Sequence, residues 1–248
     1  TPPPPPAKRF PFAPPSALAN DASHACCAAS AGSLPREEIM TSLLNRALRF
    51  LHTALNLWSR LFLLAAAISV ALSVLFPLWK LHLVAPKYSD GLTMQIYTYK
   101  IHGGGLNGND IKEINNLNHY IGMKMIDQAD FTEMQIMPFM FGVFILLALR
   151  AAVFGEMKNV IDLFVLSSYF GVFSIGAFYY RLYWYGHNLD PHAPMTIKPF
   201  TPLIFGTQKI ANFTQSSYPE MGTYLLWVFM ALLVLAVWFS RKEKVLAL

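Results

Sequence analysis

Charge is what this sequence has least of. Asp, Glu, Lys and Arg make up 13% of its 248 residues, about half their share in an average soluble domain. With 54% apolar residues beside them, the chain has too few polar side chains to cover a water-soluble fold. Cysteine is equally scarce. Its two copies, Cys26 and Cys27, stand side by side near the start, so no disulfide framework can staple the rest, and a segment without fixed partners gives a vicinal pair little to bind with. No HExxH, Walker loop, GxSxG or dinucleotide fingerprint occurs, and with them go the commonest signatures of metallohydrolases, NTPases, serine hydrolases and dehydrogenases. The chain therefore reads as a protein that is not an enzyme. Its net charge of +5 is not gathered on a soluble basic face, which argues against nucleic-acid binding.

What is abundant is long uncharged apolar sequence. A hydrocarbon layer about 30 Å thick needs roughly 20 apolar helical residues to cross it. Four runs qualify: Leu61 to Trp79, Ile136 to Phe154, Val160 to Tyr180 and Met221 to Ser240. The 14% aromatic content fits as well, since Trp and Tyr collect at headgroup depth. Arg150 and Asp162 fall near predicted helix ends, where long side chains reach the interface, and are expected to pair with each other. Gly171 and Gly176, with Ser167, Ser168 and Ser174, are expected to permit close helix packing.

Orientation follows from the basic residues that flank the runs. Arg46, Arg49 and Arg60 precede the first, Arg150 and Lys158 lie between the second and third, and Arg241, Lys242 and Lys244 follow the fourth. The loop 80–135 instead balances five Lys against six Asp and Glu. This places both termini in the cytoplasm and loops 80–135 and 181–220 outside, as expected for a multi-pass protein of a bacterial inner membrane whose first partner is the lipid bilayer. The fold expected is an all-α integral membrane protein with four transmembrane helices and a small extracytoplasmic α+β cap.

Residues 1–39 are a different material, a Pro- and Ala-rich leader expected to be disordered. Met40 precedes a Leu- and Arg-patterned stretch that looks like a natural beginning. Over residues 40–60, Leu44, Leu48, Leu51, Leu55 and Trp58 recur at helical spacing, which predicts an amphipathic helix along the inner interface. Residues 241–248 form a basic tail. In the first loop, alternation from Leu92 to Ile101 predicts a strand. Asp110 is placed to cap a short helix with Ile111, Ile114, Leu117 and Ile121 on one face, ended by Gly122. In the second loop prolines forbid a long helix, and Ser217, Pro219 and Glu220 predict the start of the fourth span.

Five of the seven histidines fall in these two loops, together with most of the methionines that flank them. Imidazole and thioether together suit Cu(I). Two clusters carry that chemistry: His119 with Met123 and Met125, and His187 with His192 and Met195. The same residues also suit plain structure, because Met fills irregular apolar gaps and a His beside Asn or Asp is commonly hydrogen-bonded. A haem would need His inside facing spans, and none lies in a predicted helix core.

The segments Leu75-Phe76-Pro77-Leu78-Trp79-Lys80, Leu117-Asn118-His119-Tyr120-Ile121-Gly122-Met123 and Gly186-His187-Asn188-Leu189-Asp190-Pro191 with Ala193-Pro194 resemble a group of poorly characterised bacterial multispanning membrane proteins associated with nitrous-oxide reductase and copper-maturation gene clusters. The resemblance covers Leu61 to Ser240; the Pro-rich leader departs from it. It implies periplasmic copper supply or copper-enzyme assembly, with His119, Met123, His187 and His192 as the positions carried over. The expectation is a membrane-anchored accessory protein that binds copper through His119, Met123, Met125, His187, His192 and Met195 and serves another membrane or periplasmic protein. The alternative is a non-catalytic structural subunit of a respiratory-type membrane complex.

Overall fold

The computed structural model describes residues 36–105, 108–195, 197–210 and 212–246. Cys26, Cys27 and the leader up to residue 35 lie outside them. The chain divides into two units, Thr1–Arg46 and Ala47–Leu248, and the second holds everything that positions the candidate site. In chain order the elements are α1 (Arg36–Leu51), α2 (Leu57–Leu75), β1 (Trp79–Ala85), β2 (Tyr88–Ile96), β3 (Ile101–Gly103), α3 (Asp110–Tyr120), α4 (Glu133–Phe154), α5 (Met157–His187), β4 (Gly206–Ile210), β5 (Phe213–Pro219) and α6 (Met221–Leu246).

Helices α2, α4, α5 and α6 are each long and apolar enough to cross a membrane, the shortest having 19 residues. They pack through narrow seams. On α2 the buried positions Ser59, Leu63, Ala66, Val70 and Ser73 recur at alternating steps of four and three, and on α6 Phe229, Leu233, Ala236 and Ser240 do the same. Small side chains let the two backbones approach closely. Ser59 and Ser69 use that closeness, their hydroxyls donating to the carbonyls of Ala236 and Leu225 at 2.8 and 2.7 Å. Between α4, α5 and α6 the contact is aromatic, with Phe144 set edge-on to Phe170 at 5.4 Å. Away from the seams the helices carry large apolar residues on their outer faces, Val153 and Val172 being 73% exposed.

Five antiparallel strands in the order β3-β2-β1-β5-β4 form a sheet beyond one end of this bundle. One face of β1 and β2 presents Leu81, Leu83, Leu92 and Met94, which bury against Ile114 and Ile121 from α3 and its end. Sheet and α3 together make a cap with its own apolar core. Four stretches of chain join the cap to the bundle, and two of them are neighbours, because β1 follows α2 and the adjacent β5 runs directly into α6. There the Glu220 and Gly222 amides donate to the carbonyls of Leu78 and Pro77 at 3.0 and 2.9 Å, and the Thr223 hydroxyl donates to Leu78 at 2.6 Å.

Several sequence expectations change here. The first span ends at Leu75 and not at Trp79, since Pro77 forces Phe76 into an extended conformation (φ −104°, ψ 152°); Trp79 opens β1 instead. The third continues past Tyr180 to His187, as no proline interrupts it before Pro191. The amphipathic stretch of residues 40–60 breaks after Leu51, because the link before α2 pairs with the α4–α5 turn: the Leu55 amide donates to Gly155 at 2.6 Å and the Met157 amide to Thr53 at 3.1 Å. The strand expected over 92–101 is two strands with a turn at Tyr97–Lys100. Asp110 does not cap α3; its carboxylate accepts from the Thr93 amide at 2.8 Å and ties the helix start to β2. Pro219 closes β5 opposite Trp79 and does not open the fourth helix. Arg150 lies over its own helix neighbour Phe154, 5.8 Å from the ring centre, and makes no ion pair with Asp162 among the described residues.

The glycines of α5 also behave differently from expectation. A Cβ on Gly171 or Gly176 would meet nothing within 4 Å, whereas one on Gly222 would stand 2.8 Å from the Pro77 carbonyl oxygen and 2.9 Å from that of Phe76. Gly222→Leu is therefore expected to destabilise the cap–bundle joint by about 1–3 kcal/mol, as overpacking against backbone does, while Gly171→Leu leaves stability within about 0.5 kcal/mol. Thermal unfolding in detergent followed by tryptophan fluorescence checks the pair; equal effects would mean that the close approach at Gly222 carries no weight.

Candidate functional site

The two long loops meet, and they meet at Gly122. Helix α3 ends at Tyr120, and Gly122 (φ +75°) turns the chain in the left-handed conformation that glycine adopts freely. The Asp190 amide donates to the Gly122 carbonyl at 2.8 Å and the Met195 amide to that of Tyr120 at 3.0 Å. A Cβ on Gly122 would stand 2.8 Å from the Asp190 carbonyl oxygen and 2.9 Å from Ala193 Cβ. The strand-free segment after α3 is held from below by Asn115, whose side-chain amide accepts from the Ile126 N–H at 2.7 Å and donates to the Ile126 carbonyl at 3.1 Å.

At this junction Asp190 is the electrostatic centre. Its Oδ1 accepts from the His192 backbone N–H at 2.9 Å and stands 3.4 Å from His192 Nδ1. The His192 N–H holds the carboxyl below its ordinary pKa, helped by the His192 side chain and the charge of His119. His119 is exposed on the last turn of α3, and Met125 (56% exposed) and Met195 (42%) are open to solvent as well.

The other expected ligands point elsewhere. Met123 packs against the cap core. His187 is committed to its own helix: Nδ1 donates to the Tyr183 carbonyl at 3.0 Å, which fixes the tautomer, and the ring stacks on Tyr183 with centroids 3.9 Å apart. Among the described residues, no three of His, Cys, Asp and Glu are placed to hold a metal ion. Of the six expected ligands, Met123 and His187 are engaged in other contacts, while His119, Met125, His192 and Met195 are exposed or partly exposed at the loop junction. The loops do bring His192 against Asp190.

Directly behind the junction lies a second feature, an apolar chamber of about 90 Å³ between the sheet, α3 and the last turns of α5. Its walls include Met94, Ile114, Phe178 and Phe200. The side-chain nitrogen of Asn118 and the hydroxyl of Tyr185, both from residues lining the chamber and each more than nine-tenths buried, have no hydrogen-bond partner. The Tyr185 ring is stacked on Phe131, nearly parallel at 7°. Beside it Arg181 binds both oxygens of Glu133 at 3.1 Å, a bidentate pair that leaves little free charge.

No family model, curated protein or solved structure matches this chain. What the site can do is thus argued from its residues. Asn118 was legible in principle, because it continues the Ile111, Ile114, Ile121 stripe as a polar residue on an apolar face. Tyr185 was not, standing in an aromatic run where any ring fits the interfacial pattern.

Asp190 gives the junction a defined acid response. Its carboxyl is depressed in the folded state, so its contribution is present above the unfolded value of about 3.9 and is lost as pH falls through the lower folded value. Hydrogen exchange of the Asp190 and Met195 amides, corrected for intrinsic rate, is expected to show steady protection from pH 8 to 5 and loss below about pH 4. Asp190→Asn should weaken protection at pH 7 and abolish the acid step; a step of unchanged size in that variant refutes the assignment.

Proposed function

We propose that this chain is an integral membrane protein of a bacterial inner membrane, with α2, α4, α5 and α6 spanning the bilayer, both termini cytoplasmic and the cap on the periplasmic side. The observation that carries this reading is the outward apolar surface of all four helices, where Ile68, Leu146, Val153, Val172 and Trp227 are each at least 60% exposed. Monomeric soluble proteins seldom leave contiguous apolar surface on that scale, whereas lipid accepts it at no cost. Charge supports the orientation. Arg60, Arg150, Lys158 and Arg241 flank the helix ends remote from the cap, the side that the positive-inside bias assigns to the cytoplasm.

Within that frame the protein acts by binding and presentation, as a non-catalytic accessory to another membrane or periplasmic protein. The bonds across Gly122 and Gly222 support this, because they hold the cap at a set position on the helices and so keep a binding surface at a set height. Copper handling is the second reading, favoured by the supply of imidazole and thioether in the two loops that meet at Gly122. Among the described residues no three such donors stand ready-made, so a copper site would have to draw its ligands together on binding. His187 and Met123 would contribute only after leaving their present partners.

Two measurements test these readings. In a background with Cys26 and Cys27 replaced by Ser, Lys112→Cys is expected to react with a membrane-impermeant maleimide in intact spheroplasts and Lys158→Cys only after lysis; the reverse pattern, or release of the protein from membranes by alkaline carbonate, overturns the membrane reading. Titration of the detergent-purified protein with Cu(II) and with Cu(I) is expected to show one site whose affinity drops at least about tenfold in His119→Ala and in His192→Ala, the size of effect that loss of one ligand or its support produces. Wild-type protein that binds neither ion removes copper from consideration.

A further inference from the structure

A second open space lies where the sheet meets the bundle, on the side of β3. Ile96 pairs with both Trp79 and Ile101, and the Leu78 amide donates to the Ile96 carbonyl at 2.8 Å. The turn Tyr97–Lys100 therefore hangs past the last row of the sheet, toward the helices. Beside it is an open cleft of about 450 Å³ whose walls include Tyr99, Gln128, Phe131, Met134, Gln135 and Pro138, a size within the usual range of about 300–1,000 Å³ for small-molecule sites. Its depth in a bilayer follows from α4. Helical residues rise about 1.5 Å each, so a hydrocarbon layer about 30 Å thick, counted back from the end of α4 at Phe154, reaches its outer edge near Gln135. The cleft straddles that boundary, with Pro138 on the hydrocarbon side and Gln128 on the headgroup side.

Lys100 supplies a charge at the same level. Its ammonium stands 5.2 and 5.4 Å from the ring centres of Tyr97 and Tyr99, and Gln128 Nε2 donates to the Tyr99 carbonyl at 3.1 Å, which ties the turn to the cleft wall. Among the described residues Lys100 makes no ion pair. The acids nearest the cleft in sequence are already engaged: Asp127 accepts from the Ala129 amide at 3.1 Å, Asp130 meets Lys124 at 2.7 Å and Glu133 is paired with Arg181. A cation held between two rings at headgroup depth attracts a lipid phosphate. From this we infer that the cleft binds one glycerophospholipid of the outer leaflet. The phosphate accepts from Lys100 Nζ, the glycerol ester region faces Gln128 and Gln135, and an acyl chain runs down α4 over Ile136 and Phe139, which are 54% and 71% exposed. The inference deepens the proposed function by giving the cap a ligand class, and it rests on the membrane reading for the depth of the cleft.

The test uses the full chain purified in detergent and freed of lipid, with native mass spectrometry of the complexes it forms with dioleoylphosphatidylglycerol, dioleoylphosphatidylethanolamine and dioleoylglycerol. Both phospholipids are expected to bind, and dioleoylglycerol, which lacks the phosphate, to bind about fivefold more weakly, the scale of one Lys at a lipid surface. Lys100→Gln should erase that difference, whereas Lys209→Gln, on the exposed edge strand β4, should leave it intact. Ala129→Trp places a ring in the cleft that Ala129 lines and should weaken all three lipids; if that variant does not fold, Lys100→Gln decides alone. Release of the phospholipid by equimolar glycerol 3-phosphate would mark a site for free phosphate esters and overturn the lipid assignment. Equal binding of phospholipid and dioleoylglycerol in wild type, or an undiminished preference in Lys100→Gln, would overturn the site itself while leaving the spheroplast result untouched.

Discussion

The sheet of the cap is positioned by the joint at which α2 becomes β1 and β5 becomes α6. Two helices packed along a small-residue seam leave the bundle side by side, and their continuations pair as neighbouring strands, so the register of the sheet is inherited from the register of the helices. The Ser59 and Ser69 hydroxyls bonded across to α6 and the Glu220 and Gly222 amides bonded to Leu78 and Pro77 belong to one continuous ladder of contacts. Backbone hydrogen bonds at this joint remove the freedom that a loop connection would leave. Gly222 is the position where this closeness is tightest.

The cap uses that fixed platform in two ways. Its sheet offers one apolar face to α3, which closes a small core, and α3 in turn delivers Gly122 to the place where the second long loop crosses. The crossing is made by main-chain bonds from Asp190 and Met195, with the Asp190 carboxylate held low by the His192 N–H. Backbone contacts of this kind are indifferent to side-chain identity except at Gly122, where a positive φ and the approach of Asp190 leave room for no Cβ. Chemistry can then vary on the rim, at His119, His192, Met125 and Met195, without disturbing the joint beneath.

Behind the rim the same convergence leaves an apolar chamber whose few polar atoms are unevenly satisfied. Arg181 and Glu133 complete each other, and Asn115 completes the backbone at Ile126. Asn118 and Tyr185 remain without partners.

Much of the architecture was legible in the residues because its causes are local. A run such as Leu61 to Leu75 without a charge can only be an apolar helix, Pro77 must stop it, and the Ile111, Ile114, Leu117, Ile121 spacing makes one side of α3 apolar wherever that helix goes. The sheet was only partly legible: β2 announced itself by alternation, but β1 and β5 are stabilised by each other across more than a hundred residues of sequence, and neither carries a pattern that stands out alone. For the same reason the six expected ligands did not stay together. Sequence neighbours His119 and Met123 fall on opposite sides of the α3 end, one to solvent and one to the core, and His187 is absorbed into a helix that no local signal stopped before Asn188. Residue type by itself determined that these loops would be rich in imidazole and thioether. Which of those groups would meet Asp190, and which would be spent on packing or on their own helix, was decided only when Gly122 brought the two loops into contact, since proximity between distant segments is a property of the folded chain.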